Sequence, residues 1–229
     1  MKLAIMQPYF FPYLGYFQLM HAVNVFVIYD DVQFIKGGWI NRNYILSQGK
    51  KLRLTLSLDH SSSNKRINEI NIIDNRIKLI KTIEQSYKRA PYFSESFVLI
   101  KKIMEYNEKN LSLFLVNALR LIAQYLDLKV QFIISSSIQK DNRTKGEQKV
   151  IDICKRLAAR EYINLMGGQE LYSIDVFSRE NLRLKFIRMR DVYYNQYCSE
   201  FIPSLSIIDV LMFNARQDIS HLLQRYDLV

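Results

Sequence analysis

The 229 residues are enough for one large domain with a full core, and 49% hydrophobic residues with no glycine- or proline-rich tract exclude a disordered or fibrous chain. A formal net charge of +10 favours an anionic partner, whether nucleic acid, an acidic membrane surface or a phosphorylated small molecule. Two unrelated cysteines, Cys154 and Cys198, exclude a disulfide framework and a thiolate zinc site.

The first stretch to organise the chain is Leu3 to Tyr16, LAIMQPYFFPYLGY. Its opening apolar run is too short for a helix or a signal peptide, and Pro8 and Pro12 forbid immediate helix formation because proline lacks an amide hydrogen. The pattern predicts a strand, a rigid aromatic loop, a helix opening near Tyr13 to Gly15 and running to about Ala22, and a second strand over Val25 to Tyr29. In such a β-α-β unit the carboxyl end of the strand and the amino end of the helix form a place for phosphate. The competing reading is an aromatic plug, and Gln7, Gly15 and the prolines argue against mere filling.

After Asp30-Asp31 comes a polar, aromatic loop holding Gln33, Lys36, Gly37-Gly38, Trp39, Asn41, Arg42 and Asn43. Leu52 to Leu58 alternates strictly and predicts a half-buried strand, with a shorter one over Glu69 to Ile73. Helical spacing follows over Arg76 to Tyr87, Ser94 to Tyr106 and Leu111 to Tyr125, a helical layer inserted at about residues 75–127. Val130 to Ile134 is a strand, Gln139 to Gly146 a basic loop, Val150 to Leu157 one face of a helix, and Tyr162 to Leu165 a strand ending at Met166-Gly167-Gly168. Leu182 to Arg188 alternates again, and Ser204 to Phe213 predicts a helix carrying Asp209 within an apolar run. The fold class expected is α/β: a Rossmann-like parallel sheet flanked by helices, one domain over residues 1–229 with no cleaving linker. No apolar stretch is long enough to span a bilayer, so the expected location is the cytoplasm.

Several separated motifs occur in the order of one family. QPYFFPYLGYF (Gln7 to Phe17), YDDVQF followed by W-x-N-R-N (Tyr29 to Phe34, Trp39 to Asn43), YKRAPYF (Tyr87 to Phe93), YINLMGGQELY (Tyr162 to Tyr172) and FIPSLSIIDVLMFN (Phe201 to Asn214) make the chain resemble the WbqC-like family nearly end to end. That resemblance implies a setting in bacterial surface-polysaccharide assembly and transfer of glycine or another amino acid in O-antigen sugar formation. The opening is also similar, more distantly, to the nucleotidylyltransferase group that includes pantothenate synthetase. Pro12 to Tyr16 stands where that group has an H-x-G-H loop, with neither histidine present, and Val32-Gln33-Phe34 stands at its Q-F pair.

The chemistry uniting these features is amide formation through an acyl-adenylate, which needs helix amides, cations and a pocket for the amine but no triad. Gln7, Pro8, Gly15, Gln33, Lys36, Lys145, Gly167 and Gly168 are the candidates for nucleotide and phosphate. Tyr9, Trp39, Asn41, Asn43, Asn164 and Tyr172 are the candidates for substrate, and Gln7, Tyr16, Asp30, Asp31, Arg42 and Asp209 for catalysis. ATP with Mg²⁺ is the expected cofactor, the carboxylates holding the ion or taking an ammonium proton, with no protein-bound metal cluster because His21, His60 and His221 lack companions at ligand spacing. The expected partners are a nucleotide-linked amino sugar and a small amino acid or acyl donor. Transfer without ATP, from a thioester or a charged transfer RNA, and plain RNA binding are the alternatives, the last disfavoured because the basic residues form no dense run. Each candidate also has a packing alternative: a turn cap for Asp30-Asp31, a solvated Lys145, a close-packed glycine pair, a structural partner for Asp209.

Overall fold

The computed structural model describes residues 1–141 and 143–229. In chain order it contains β1 (Lys2–Met6), α1 (Leu14–Ala22), β2 (Val25–Ile28), β3 (Arg42–Ser47), β4 (Lys50–Thr55), β5 (Leu58–Asp59) and β6 (Asn71–Ile72). There follow α2 (Arg76–Tyr87), α3 (Phe93–Met104), α4 (Leu111–Tyr125), β7 (Gln131–Ile134), α5 (Gly146–Arg156) and β8 (Glu161–Leu165). The chain closes with α6 (Ile174–Arg179), β9 (Arg183–Met189), α7 (Ile207–Phe213), α8 (Arg216–Leu223) and β10 (Tyr226–Leu228).

The central sheet has the order β10-β9-β8-β1-β2-β7, parallel throughout except for the antiparallel edge pair β10 and β9. This is the α/β class that the sequence predicts. Counted along the chain, the order is the doubly wound one, with its reversal between β1 and β8, where ligands of such sheets gather at the carboxyl ends. The strands are nearly continuous apolar runs because helices cover both faces. Ala4, Phe26, Ile28, Ile163 and Ile187 pack into one core, while Leu3, Ile5, Val25, Val27, Tyr162 and Phe186 pack into the other. That division follows from the two-residue period of a strand.

Several boundaries differ from the sequence expectation. The Leu52 to Leu58 alternation divides: β4 pairs with β3 in a hairpin turning at Gln48 and Gly49, both at positive φ, and Leu58 belongs to the separate two-stranded β5–β6 pair. Glu69 ends a 3-10 turn over Ile67–Glu69 instead of opening a strand. The strand β3 and the elements α6, α8 and β10 go unannounced by periodicity, being short or half-buried. Among the described residues no helix is long and apolar enough to cross a membrane.

Candidate functional site

The loop between β1 and α1 is fastened from three directions. Phe10, Phe11, Tyr16 and Phe17 are buried, so one side of the loop is a plug in the core. Phe11 adopts φ 43°, a left-handed conformation that a bulky side chain avoids. Its carbonyl accepts hydrogen bonds from Asn43 Nδ2 at 2.7 Å and Ser206 Oγ at 2.8 Å, which tie it to β3 and to the cap of α7. The Tyr16 hydroxyl donates to the Gln7 carbonyl at 2.8 Å. Farther off, Gln18 Nε2 donates to the Leu222 carbonyl at 2.8 Å, so α1 rests on α8. Strain held by such partners is the kind that functional loops store.

The other side of the loop is open. A cavity of about 480 Å³ is lined by Tyr9, Pro12, Tyr13, Trp39, Tyr44 and Lys51, among others. A second, of about 400 Å³, lies beside it against Met189, Arg190, Asp191, Tyr193, Tyr194 and Phe201. Both touch Tyr13, Ser204 and Leu205, so they form a two-chambered groove at the amino end of α1, with Met189 marking the carboxyl end of β9. Volumes of this size suit small organic ligands, and aromatic walls with few polar groups are what such sites use. Burial pushes the Tyr13 hydroxyl up to about 12, the neighbouring Tyr9 adding to it, so Tyr13 is a neutral donor at physiological pH.

Gly15 does not open a gap for phosphate. A Cβ built there would lie 2.6 Å from a Tyr13 ring carbon and against Met189 Sδ, so the glycine lets α1 approach β9 closely. Gly168 plays a similar part, since its side-chain position falls 2.6 Å from Asn164 Nδ2, while Gly167 faces open space.

A separate polar cluster stands at the carboxyl ends of β2 and β7. Asp30 accepts from Ser136 N at 2.9 Å, Ser136 Oγ at 2.6 Å and Asn68 Nδ2 at 3.3 Å, linking the two strand ends. Asp31 Oδ2 lies 2.9 Å from Lys140 Nζ and 3.1 Å from Lys149 Nζ, and the three side chains are 4%, 1% and 8% exposed. Lys140 also donates to the Ser135 carbonyl, and Lys149 lies over the Tyr29 ring, 5.2 Å from its centroid. Burial pushes the Asp31 carboxyl up, but Ser135, Lys140 and Lys149 together hold it below the usual carboxylate value. Asp31 Oδ1 and Ser135 Oγ have no well-aligned partner among the described residues. Asp209 is a third case: fully buried, it accepts from Tyr87 Oη at 2.8 Å, Tyr194 Oη at 2.7 Å and Gln196 Nε2 at 2.7 Å. Burial raises its pKa against those three hydrogen bonds.

The residues singled out by sequence therefore occupy several places. Tyr9, Trp39 and Asn43 meet at the groove; Asp31 belongs to the lysine cluster, Asp30 beside it to Ser136 and Asn68; Asp209 is sealed inside. Asn164, Gly167, Gly168 and Tyr172 lie at and beyond the end of β8, the Tyr172 hydroxyl 3.4 Å from that of Tyr162. Gln7 and Pro8 follow β1; Gln33 and Lys36 sit in the loop after β2, and Lys145 precedes α5, all three exposed. Arg42, half-buried, is held against its own loop, Nε donating to the Gly38 carbonyl at 3.0 Å, and Asn41 Nδ2 donates to the Leu56 carbonyl at 2.9 Å. Sequence reasoning missed Lys140 and Lys149, and in the groove Lys51, Tyr193, Tyr194 and Phe201. The signal for Tyr193 and Tyr194 was the unpatterned tyrosine-rich run Asp191 to Cys198, since loops carry sites more often than cores.

These carboxylates do not fit a magnesium ion. Asp30 is filled with hydrogen bonds, Asp31 faces two ammonium groups, Asp209 is enclosed, and no group of three or more ligating side chains occurs among the described residues. The larger chamber presents the rings of Tyr9, Trp39 and Tyr44 and the cation of Lys51.

Known proteins resemble this chain in sequence. The sequence profile of the WbqC-like protein family matches residues 7–221. The uncharacterized protein Rv1507c of Mycobacterium tuberculosis (strain ATCC 25618 / H37Rv) is 30% identical over 220 residues, covering 93% of each chain. No solved structure matches. A profile spanning the aromatic loop, both groove walls and α7 leaves one assignment: the chain belongs to the WbqC-like protein family.

Proposed function

We propose that the protein is a transferase or ligase of surface-polysaccharide (O-antigen) assembly, joining glycine or another small acid to the amino group of a nucleotide-activated amino sugar. The observation that carries this reading is the two-chambered groove at the amino end of α1, which has room for two substrates meeting at Tyr13 and Ser204. Trp39, Tyr9 and Tyr44 would stack a purine, Lys51 would meet phosphate, and the chamber beside Asp191 would hold the amine.

ATP enters as a substrate. A carboxylate oxygen of the acid attacks the α-phosphorus and pyrophosphate leaves; the sugar amine then attacks the acyl carbon, AMP leaves, and the ammonium proton passes to water or to Asp191. The protein contributes by orienting the acid on ATP, then the amine on the acyl-adenylate, and by excluding water, the larger share of what amide formation from an activated acid requires.

The test is incubation of purified protein with glycine, ATP and a nucleotide-linked amino sugar, followed by mass spectrometry of the sugar and measurement of pyrophosphate. Acylated sugar with stoichiometric pyrophosphate supports the reading. Acylation from a thioester or charged transfer RNA without ATP overturns the adenylate and keeps the transfer. Salt-sensitive RNA binding with no turnover overturns both.

A further inference from the structure

On the side of the hairpin away from the groove, β4 and α2 build one continuous surface. A depression between Leu52, Lys88 and Tyr197 meets another between Ile77, Lys78 and Lys81, and the two share Thr82 and Gln85. Asn75 sews the surface together: its side chain accepts from Ser57 N at 3.1 Å and donates to the Thr55 carbonyl at 2.9 Å. Along α2 the exposed positions Lys78, Lys81, Gln85 and Lys88 recur every three or four residues and so form a single stripe. Lys50 at the hairpin turn and Arg89 beyond the helix extend it.

Two properties coincide on this surface. Lys50, Lys78, Lys81, Lys88 and Arg89 take part in no ion pair among the described residues. Carboxylates near it include Glu84, on the helix itself, Asp74, which is engaged by Arg76, and Glu200, whose carbonyl meets Cys198 Sγ next to Tyr197. Aliphatic and aromatic side chains also stand out among the cations: Ile77 is 70% exposed, Tyr197 57% and Leu52 37%.

From this combination we infer that the α2–β4 face docks on an anionic lipid bilayer, with the ammonium groups among the headgroups and Ile77, Leu52 and Tyr197 entering the acyl boundary. Lysines interleaved with exposed aliphatics are the signature of interfacial binding, whereas a nucleic-acid backbone gains nothing from Ile77 or Leu52. The surface lies apart from the groove, so docking leaves the chambers open to soluble substrates. The inference does not depend on the reaction proposed above.

Flotation of the full chain with phosphatidylglycerol-containing vesicles tests it. Binding is expected at low salt, absent with phosphatidylcholine alone, and weakened as the Debye length falls below about 8 Å. Lys78→Gln, Lys81→Gln and Lys88→Gln combined should lose about a hundredfold in partition, each surface cation being worth about a fivefold factor. Arg120→Gln, Arg160→Gln and Arg179→Gln combined carry the same net charge on other elements and should bind as the parent. Ile77→Ser, at a position too exposed to affect folding, should weaken binding several-fold. Equal losses in the two triple variants, full binding by Ile77→Ser, or displacement of the vesicles by single-stranded RNA at lower concentration than by anionic lipid would each overturn the inference.

Discussion

Replacing Asp31 by Asn tests how the carboxyl ends of β2 and β7 are held. The carboxylate neutralises two ammonium groups that are 1% and 8% exposed, so the variant buries two cations with no counter-charge. Breaking a buried pair by removing one partner costs about 3–5 kcal/mol, mostly for the charge left behind. In a protein of this size each kcal/mol lowers Tm by about 2–4 °C, so the melt should fall by about 6–20 °C. Urea unfolding followed by circular dichroism measures the change directly, an unaltered m-value showing that the transition is comparable. A companion variant, Asp31→Leu with Lys140→Met and Lys149→Met, removes all three charges and should recover most of the loss, since apolar groups of similar volume replace a buried ionic cluster at little cost. Asp31→Asn within about 1 kcal/mol of the parent, or a triple variant as unstable as the single one, would refute the assignment of this cluster as a mutually compensated strut.

The same carboxyl sets an acid limit. Its folded pKa lies below the ordinary 3.8, so its contribution is complete above that value and disappears as pH falls through the lower folded one; Tm measured from pH 6 down to pH 3 should drop less steeply in the triple variant. Gly15→Ala should cost about 1–3 kcal/mol by crowding Tyr13 and Met189, with Met189→Ala on the same background restoring part of it in thermal melts. Trp39→Ala, at a residue 48% exposed, should leave Tm within a degree or two yet weaken ATP about tenfold or more by calorimetry, in line with roughly 1–3 kcal/mol for a base stacked on an aromatic ring. Tyr194→Phe leaves Asp209 one hydrogen bond short and should destabilise by about 1–2 kcal/mol in urea.

Periodic elements were readable from the chain because burial imposes a period. The span of α2, Arg76 to Tyr87, follows from its apolar spacing and the Ala90-Pro91 stop, and the parallel strands from apolar runs covered on both faces. Elements without a clean period were not: β3, half-buried along its length, is recognised only once β4 folds back on it, and β10 only as an edge on the distant β9. The candidate site was readable in part. Its aromatic floor, Tyr9 to Tyr13, is announced by the two prolines, but its far wall comes from residues 189–205, some two hundred positions later. Lys140 and Lys149 escaped notice because a charged loop and a helix face look solvated until a buried carboxylate is seen between them. Gly15 looked like a phosphate glycine, and only its neighbour Met189, from β9, shows the packing reason for it.

The fastening of Phe11 by Ser206, 195 residues away in sequence, and of Gln18 by Leu222, 204 residues away, dictates when the pocket can exist. A ribosome delivers the aromatic loop first and its latches last, so every nascent chain passes through an interval in which Phe10 and Phe11 have no finished core to enter. Contacts of such span are slow to close, and the binding groove is consequently among the final parts of the molecule to mature.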